Sequence, residues 1–147
     1  MQFRAFASSL MIFGIIAIAA FLLVWGVLGM FEYVTGTPAV VLLQHPAYPA
    51  GLQFLQWTLL IAFGASFLIG YATRWPYTPL AVIVTFAMLA AMCFIQTFDF
   101  LTNDFRYLAF VMECIAYVVI SIYLLRSERM RLRFGADLTR GPERAGM

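Results

Sequence analysis

Four long apolar stretches, each flanked by charged residues, account for almost all of this 147-residue chain. Arg4 and Glu32 bracket the first stretch, and Arg74 and Asp99 bracket the third. A soluble domain of this length could not bury so much apolar surface, whereas each crossing of a bilayer about 30 Å thick needs about 20 such residues. Only 11% of the residues are charged, against about 25% in soluble proteins. The sequence therefore predicts an all-α, multi-pass integral membrane protein.

The chain is predicted to form one transmembrane domain over residues 1–134, because no polar stretch is long enough to fold separately. Residues 135–147 would form a short basic tail. The predicted spans are connected by short loops as an antiparallel four-helix bundle, and they cover residues 7–31, 52–73, 78–98 and 107–125. The first apolar run is too long for a signal peptide. We expect it to be retained as a transmembrane helix.

The orientation follows from the arginines, which are enriched in cytoplasmic loops. Eight of the nine fall on one predicted side of the membrane: Arg4, Arg74, Arg126, Arg129, Arg131, Arg133, Arg140 and Arg144. Both termini should therefore be cytoplasmic. The use of arginine without any lysine is typical of a GC-rich bacterial genome, so we expect a multi-pass protein of the bacterial inner (plasma) membrane.

The outer loop, about residues 32–51, contains the short apolar run Ala39-Val-Val-Leu-Leu43. This run is too short to span, and we expect it to pack on the domain or to dip into the membrane interface; a partner-binding loop is the alternative. His45 is predicted to be an ordinary loop residue. Asn103 and Asp104 precede the fourth span and suit capping of its helix.

Several kinds of chemistry are excluded or disfavoured by the residue inventory. Without lysine, the chain cannot form a retinal or pyridoxal Schiff base. A single histidine cannot build a bis-histidine haem site, and Cys93 and Cys114 form no C-x-x-C pair. No nucleophile–base constellation or nucleotide-binding motif is recognisable, and the basic tail lacks interleaved aromatics for nucleic acid. We predict no catalytic residue, metal or cofactor, and no nucleic-acid partner.

Glu113 is the one charged residue predicted to lie inside the hydrocarbon, about 9 Å below the outer boundary at 1.5 Å per residue. Tyr117 lies on the same helical face, whereas Arg106 should extend outward and form no direct pair with Glu113. Gln96, at a similar depth on the third span, is the predicted hydrogen-bond partner. Glu113 is then a neutral structural acid, a group that binds a partner subunit, or a site for protons, an ion or a quinone headgroup.

Two further surfaces are candidate contacts. Ala62, Ser66 and Gly70 recur every four residues on the second span, which lets another helix approach closely; intramolecular packing is favoured over dimerisation. The segment after Leu125 is predicted to continue the fourth helix into the headgroup region as a solvated basic tail. Its arginines would contact anionic lipid or a partner: Arg126, Arg129, Arg131 and Arg133.

The leading functional hypothesis is a non-catalytic integral subunit that packs against larger membrane subunits. The outline of four short-looped helices with both termini inside resembles small membrane subunits of bacterial transporters and of respiratory or photosynthetic assemblies, at the level of fold alone. The alternative is a small transporter subunit, carrier or homo-oligomeric channel with a polar path through Glu113 and Gln96. A membrane enzyme acting on a lipid-soluble substrate is disfavoured.

Overall fold

The architecture is given by a computed structural model that describes residues 2–38, 43, 48–102 and 105–135, with the side chains of α1 from Phe6 onward. The part of the chain so described is helical and contains no strand. The elements are α1 Gln2–Thr35, α2 Ala50–Thr73, α3 Thr78–Ile95, a π-helical turn Gln96–Phe100, α4 Arg106–Arg126 and the short α5 Glu128–Phe134.

Four of these helical segments are long and apolar enough to cross a membrane: Phe6–Thr35, Ala50–Thr73, Thr78–Phe100 and Arg106–Arg126. The predicted all-α class is thereby confirmed, as is the presence of four apolar helices long enough to cross a membrane. The arrangement is compatible with a membrane helical bundle. The helices α1 and α3, with the π-helical turn, end on one side of the protein, which we call the loop end. The helices α2 and α4 end on the opposite side, which we call the arginine-rich end.

Two predicted helices end more than one residue short of their ends in the structure. The first helix continues past Phe31 to Thr35, so Glu32 lies within its last turns rather than outside it. The third span also continues, as the π-helical turn, to Phe100. Both predictions end the helix directly before a charged residue. A carboxylate can remain in the helix where neighbouring groups donate hydrogen bonds to it, as they do for Glu32.

Glycines allow α1 and α2 to pack closely along most of their length. A Cβ atom on Gly64 would lie 2.6 Å from Leu23 Cβ, and one on Gly29 would lie 2.4 Å from the Trp57 ring. Since later residues of α1 meet earlier residues of α2, the two helices run antiparallel. The close approach that these glycines permit is favourable in lipid, where van der Waals packing drives helix association.

The turn between α2 and α3 is held by its backbone. Arg74 adopts the left-handed conformation at φ 58°, and the backbone N–H of Trp75 donates to the Gly70 carbonyl at 2.9 Å. The Thr78 hydroxyl then donates to the Trp75 carbonyl at 2.6 Å. Gly70 leaves room for Thr78, because a Cβ at position 70 would lie 2.1 Å from the Thr78 hydroxyl oxygen.

Aromatic rings connect α2, α3 and α4 across the middle of the protein. The Phe63 and Phe86 ring centroids are 4.7 Å apart, and the Phe86 and Tyr117 centroids are 4.5 Å apart. Phe63 is fully buried and Phe86 is nearly so. The α4 helix contributes less to this core, since its buried residues are Ile120 and Leu124, both toward the arginine-rich end.

The segment after α4 does not continue that helix, contrary to the prediction. The chain is extended at Ser127, with ψ 123°, and α5 begins at the next residue. Met130 and Phe134 on α5 are each 1% exposed. They lie four residues apart and so share one helical face. Burial of this apolar face is the reason that α5 folds back onto the other helices instead of extending away as a solvated tail.

Candidate functional site

The Glu113 carboxylate accepts two hydrogen bonds from side chains on α3 and α4. The Cys93 thiol donates to Oε2 at 2.8 Å, and the Tyr117 hydroxyl donates to Oε1 at 3.0 Å. Tyr117 is one helical turn from Glu113, and its ring stacks on Phe86, which fixes the direction of its hydroxyl. The Arg106 guanidinium contacts the Leu101 carbonyl and the Tyr107 hydroxyl instead.

The Arg106 guanidinium forms no direct pair with Glu113, as expected, and the grouping of Glu113 with Tyr117 is also found. The predicted partnership with Gln96 is not. The Gln96 amide is buried and donates to Gln56 Oε1 on α2 at 2.7 Å. Gln96 lies one turn after Cys93, at the start of the π-helical turn. Of these two residues, Cys93 faces α4.

Glu113 is exposed on the surface of the isolated chain, although it lies within a membrane-spanning segment. Around it α4 presents apolar side chains, including Met112 at 60% exposure. At the loop end, α4 contacts α3 through ring edges, as between Phe94 and Phe110. The acid thus faces outward from the protein, and both of its hydrogen-bond donors within the described chain are neutral.

A second polar group, which the sequence analysis missed, lies at the loop end between α1 and α2. Glu32 is 1% exposed, and its two carboxylate oxygens accept the Leu43 backbone N–H at 3.2 and 2.9 Å. Leu43 also packs against the core, in line with the prediction that its segment packs on the domain. Residues 39–42, His45, Asn103 and Asp104 lie outside the described residues.

Further polar side chains lie just before α2 and in its first two turns. Gln53 is buried and donates through its amide nitrogen to the Tyr48 carbonyl at 3.0 Å. The Trp57 indole is buried, and its N–H has no acceptor in the described part of the chain. Burial, and to a smaller extent the nearby Cys93 sulfur, raise the pKa of the Tyr48 phenol. Tyr48 therefore remains a neutral hydrogen-bond donor at physiological pH.

A helical-period signal for Glu32 exists in the sequence. Gly26 and Gly29 both contact α2, and Glu32 follows at the same spacing of three residues. Continuing that face by one turn places Glu32 in the α1–α2 interface. The sequence does not determine which helix packs on this face of α1, so the interface itself cannot be predicted from it.

At the arginine-rich end, α5 is fixed by two of the four candidate arginines. Arg133 donates to the Tyr71 carbonyl through Nε at 3.1 Å and Nη2 at 2.8 Å, and its guanidinium lies 3.7 Å from the Tyr71 ring centroid. Arg129 donates to the Ser9 hydroxyl at 2.7 Å. Arg126 and Arg131 are exposed. The Tyr71 carbonyl is in the last turn of α2, where helix carbonyls lack intrahelical donors.

The three small residues on α2 do not share one helix contact. Ala62 is exposed, and the half-buried Ser66 donates its hydroxyl to the carbonyl of Phe63 within the same helix. Gly70 alone is in close contact with another element, at Thr78. The close approach of α1 and α2 instead involves Gly64, which faces Leu23.

The chemistry available at these sites is hydrogen bonding and charge. Within the described residues, no three His, Cys, Asp or Glu side chains are grouped so that they could hold a metal ion. Comparison of the chain with protein-family models, curated proteins and solved structures gives no match. Its function is therefore argued from the geometry of the chain itself.

Proposed function

We propose that the chain is a non-catalytic integral membrane subunit that assembles with a different membrane protein through α4. The observation that carries this proposal is the exposed carboxylate of Glu113 within a membrane-spanning helix. The partner would contribute a transmembrane helix with an arginine, a lysine or a strong hydrogen-bond donor at the depth of Glu113.

Lipid alone is a poor cover for this acid. A charged side chain at the centre of a transmembrane helix costs about 2.5–3.5 kcal/mol on insertion scales, and such residues face protein or a water-filled cavity in most membrane proteins. The Cys93 thiol and the Tyr117 hydroxyl each donate one hydrogen bond to the carboxylate, which satisfies part of its hydrogen-bonding capacity. Neither supplies a positive charge, and a partner helix would supply the missing donor and exclude lipid.

The packing of α4 leaves space for that helix. Its buried residues, Ile120 and Leu124, are at the arginine-rich end, so the half that contains Glu113 has an open outer face. The exposed face of α1 is also apolar, as at Val27, but the described membrane-spanning part of α1 has no ionisable group on that face. Lipid suffices to cover α1, whereas α4 combines an apolar face with an acid.

Photo-cross-linking tests the assembly. A benzoylphenylalanine at Met112, beside Glu113, should form one discrete product with a second membrane protein in the native membrane, and Glu113→Leu should abolish it. The matched control is the same probe at Val27, which is 50% exposed on α1 and should yield lipid adducts only. Lipid adducts alone at position 112, or a product with twice the mass of the chain, would contradict a heteromeric partner.

We further propose that the arginine-rich end faces the cytoplasm of a bacterium, so that the chain spans the inner membrane with both termini inside. The arginine bias of the sequence supports this orientation. In a background without Cys93 and Cys114, single cysteines at positions 40 and 103 should react with an impermeant maleimide added outside. Labelling of a cysteine at position 138 instead would reverse the orientation.

A small transporter subunit or carrier is the second candidate, and one observation favours it. Two hydrogen-bonded polar side chains lie on successive turns toward the loop end. Cys93 on α3 donates to Glu113, and Gln96 in the π-helical turn donates to Gln56. A solute or proton path would need the titratable group. Glu113→Gln should then abolish flux in vesicles while the cross-link at position 112 persists, whereas unchanged flux would eliminate this candidate.

A further inference from the structure

Three arginines border one open cavity at the arginine-rich end. The cavity has a volume of about 300 Å³ and is lined by Arg74, Arg129 and Arg133 together with Tyr71, Met130 and Leu132. No carboxylate is among these lining residues. Guanidinium groups that line the same cavity without a carboxylate form a site for an anion. Arginine is well suited to bind phosphate oxygens in a bidentate manner.

Two of the three arginines are held in place by hydrogen bonds. Arg133 is fixed by two hydrogen bonds to the Tyr71 carbonyl, and Arg129 is bonded to Ser9. Arg74 follows α2 in the left-handed backbone conformation, which favours glycine, and its guanidinium makes no hydrogen bond or ion pair within the described chain. A strained backbone that places a cation at a cavity is typical of binding sites.

An apolar cavity lies on the other side of α5. Its volume is about 370 Å³, its wall includes Pro76, Leu80, Ile83 and Leu124, and Arg131 lies at its edge. Met130 lines both this cavity and the arginine cavity. Both are located where α2 and α4 end and α3 begins, which is the depth of lipid headgroups for helices that cross a membrane.

We propose that the two cavities together bind one anionic phospholipid, with its phosphate at Arg74, Arg129 and Arg133 and an acyl chain beside Leu80 and Ile83. The net positive charge of the first cavity favours an anionic headgroup over a zwitterionic one. The apolar cavity favours a lipid phosphate over free phosphate, which has no group to place there. This site is independent of the contact that we propose at Glu113.

The test is native mass spectrometry of the full chain, purified in mild detergent and mixed with phosphatidylglycerol or phosphatidylcholine. The wild-type chain should retain phosphatidylglycerol at least about tenfold better, because the three arginines attract its net negative headgroup. The double variant Arg74→Gln/Arg129→Gln should lose this preference. Arg126→Gln is the matched control for the single variant Arg74→Gln, because each removes one positive charge. Arg126 is exposed and lies outside both cavities, so Arg126→Gln should retain the preference.

A second variant examines the acyl-chain part. Leu80 is 59% exposed, so Leu80→Trp should fill the apolar cavity without disturbing the core, and it should lower phosphatidylglycerol retention several-fold. Inorganic phosphate should compete weakly. Equal losses in Arg126→Gln and in the double variant would indicate diffuse surface charge and overturn the site. Strong competition by phosphate with no effect of Leu80→Trp would overturn the lipid in favour of a free anion.

Folding of the variants is controlled by their helical circular dichroism in phosphatidylcholine. If the double variant loses helix, the single variant Arg74→Gln carries the test, since its guanidinium has no partner to lose within the described chain. Loss of the lipid preference in a folded Arg74→Gln variant supports the proposal, and an unchanged preference contradicts it.

Discussion

The contact between α1 and α2 at Gly64 makes a quantitative prediction for Gly64→Ala. The added Cβ would lie 2.6 Å from Leu23 Cβ and 2.7 Å from the Ala19 carbonyl oxygen. Carbon atoms in favourable contact are about 3.5–4.0 Å apart, so the helices must separate by about 1 Å. Both obstructing atoms are fixed to the α1 backbone and cannot move aside by a change of rotamer.

The expected cost follows from two opposing effects. Overpacking a well-packed contact costs about 1–3 kcal/mol, and a gap of about 1 Å elsewhere along the interface loses up to half of the dispersion energy of each contact. Replacement of glycine by alanine inside a helix stabilises the helix by about 1 kcal/mol. Gly14→Ala is the matched control, because nothing lies within 4 Å of its added Cβ, and it has only the stabilising effect.

The two variants should therefore differ in unfolding free energy by about 1–3 kcal/mol, with Gly64→Ala the less stable. Unfolding can be followed by circular dichroism during titration of mixed micelles with a denaturing detergent. Equal stabilities of the two variants, or a more stable Gly64→Ala, would refute the close contact of α1 and α2 at this position.

Two other contacts give predictions of similar size. Arg133→Ala removes two charge-assisted hydrogen bonds to the Tyr71 carbonyl and should lower the unfolding free energy by about 1–2 kcal/mol, whereas the exposed Arg131→Ala should change it by less than about 0.5 kcal/mol in the same detergent titration. Glu32→Leu leaves the Leu43 N–H without its acceptor and should cost about 1–3 kcal/mol, with faster proteolysis of the outer loop. Glu32→Gln keeps an acceptor and should show a smaller change.

The sequence predicts the helices well because their length and apolar content are local properties. It predicts the partners of polar residues less well, since these depend on the rotation of each helix about its axis. Depth alone predicts Gln96 as the partner of Glu113, because it does not determine which helix the Gln96 side chain faces. The burial of Phe86 and Leu89 against the core fixes that rotation, and it directs Cys93 toward α4 and Gln96 toward α2.

The break at Ser127 is a second example of tertiary structure overriding a local pattern. Basic residues after α4 favour a continued helix, yet Met130 and Phe134 share one face among the arginines, which is the pattern of a short amphipathic helix. Whether such a face lies along the membrane or on the protein depends on the surface available. Here Tyr71 contacts Arg133 through both its carbonyl and its ring, so α5 packs on the protein surface.

These contacts divide α4 into two halves with different constraints. At the arginine-rich end, the Tyr123 hydroxyl lies 2.9 Å from the Ser8 hydroxyl, and Ile120 and Leu124 are buried, so α4 is joined there to α1 and to the core. The half that contains Glu113 contacts α3 through aromatic edges and the Cys93 thiol. A helix that binds at Glu113 could displace this half slightly without breaking the core, because the buried residues of α4, Ile120 and Leu124, are at its other end.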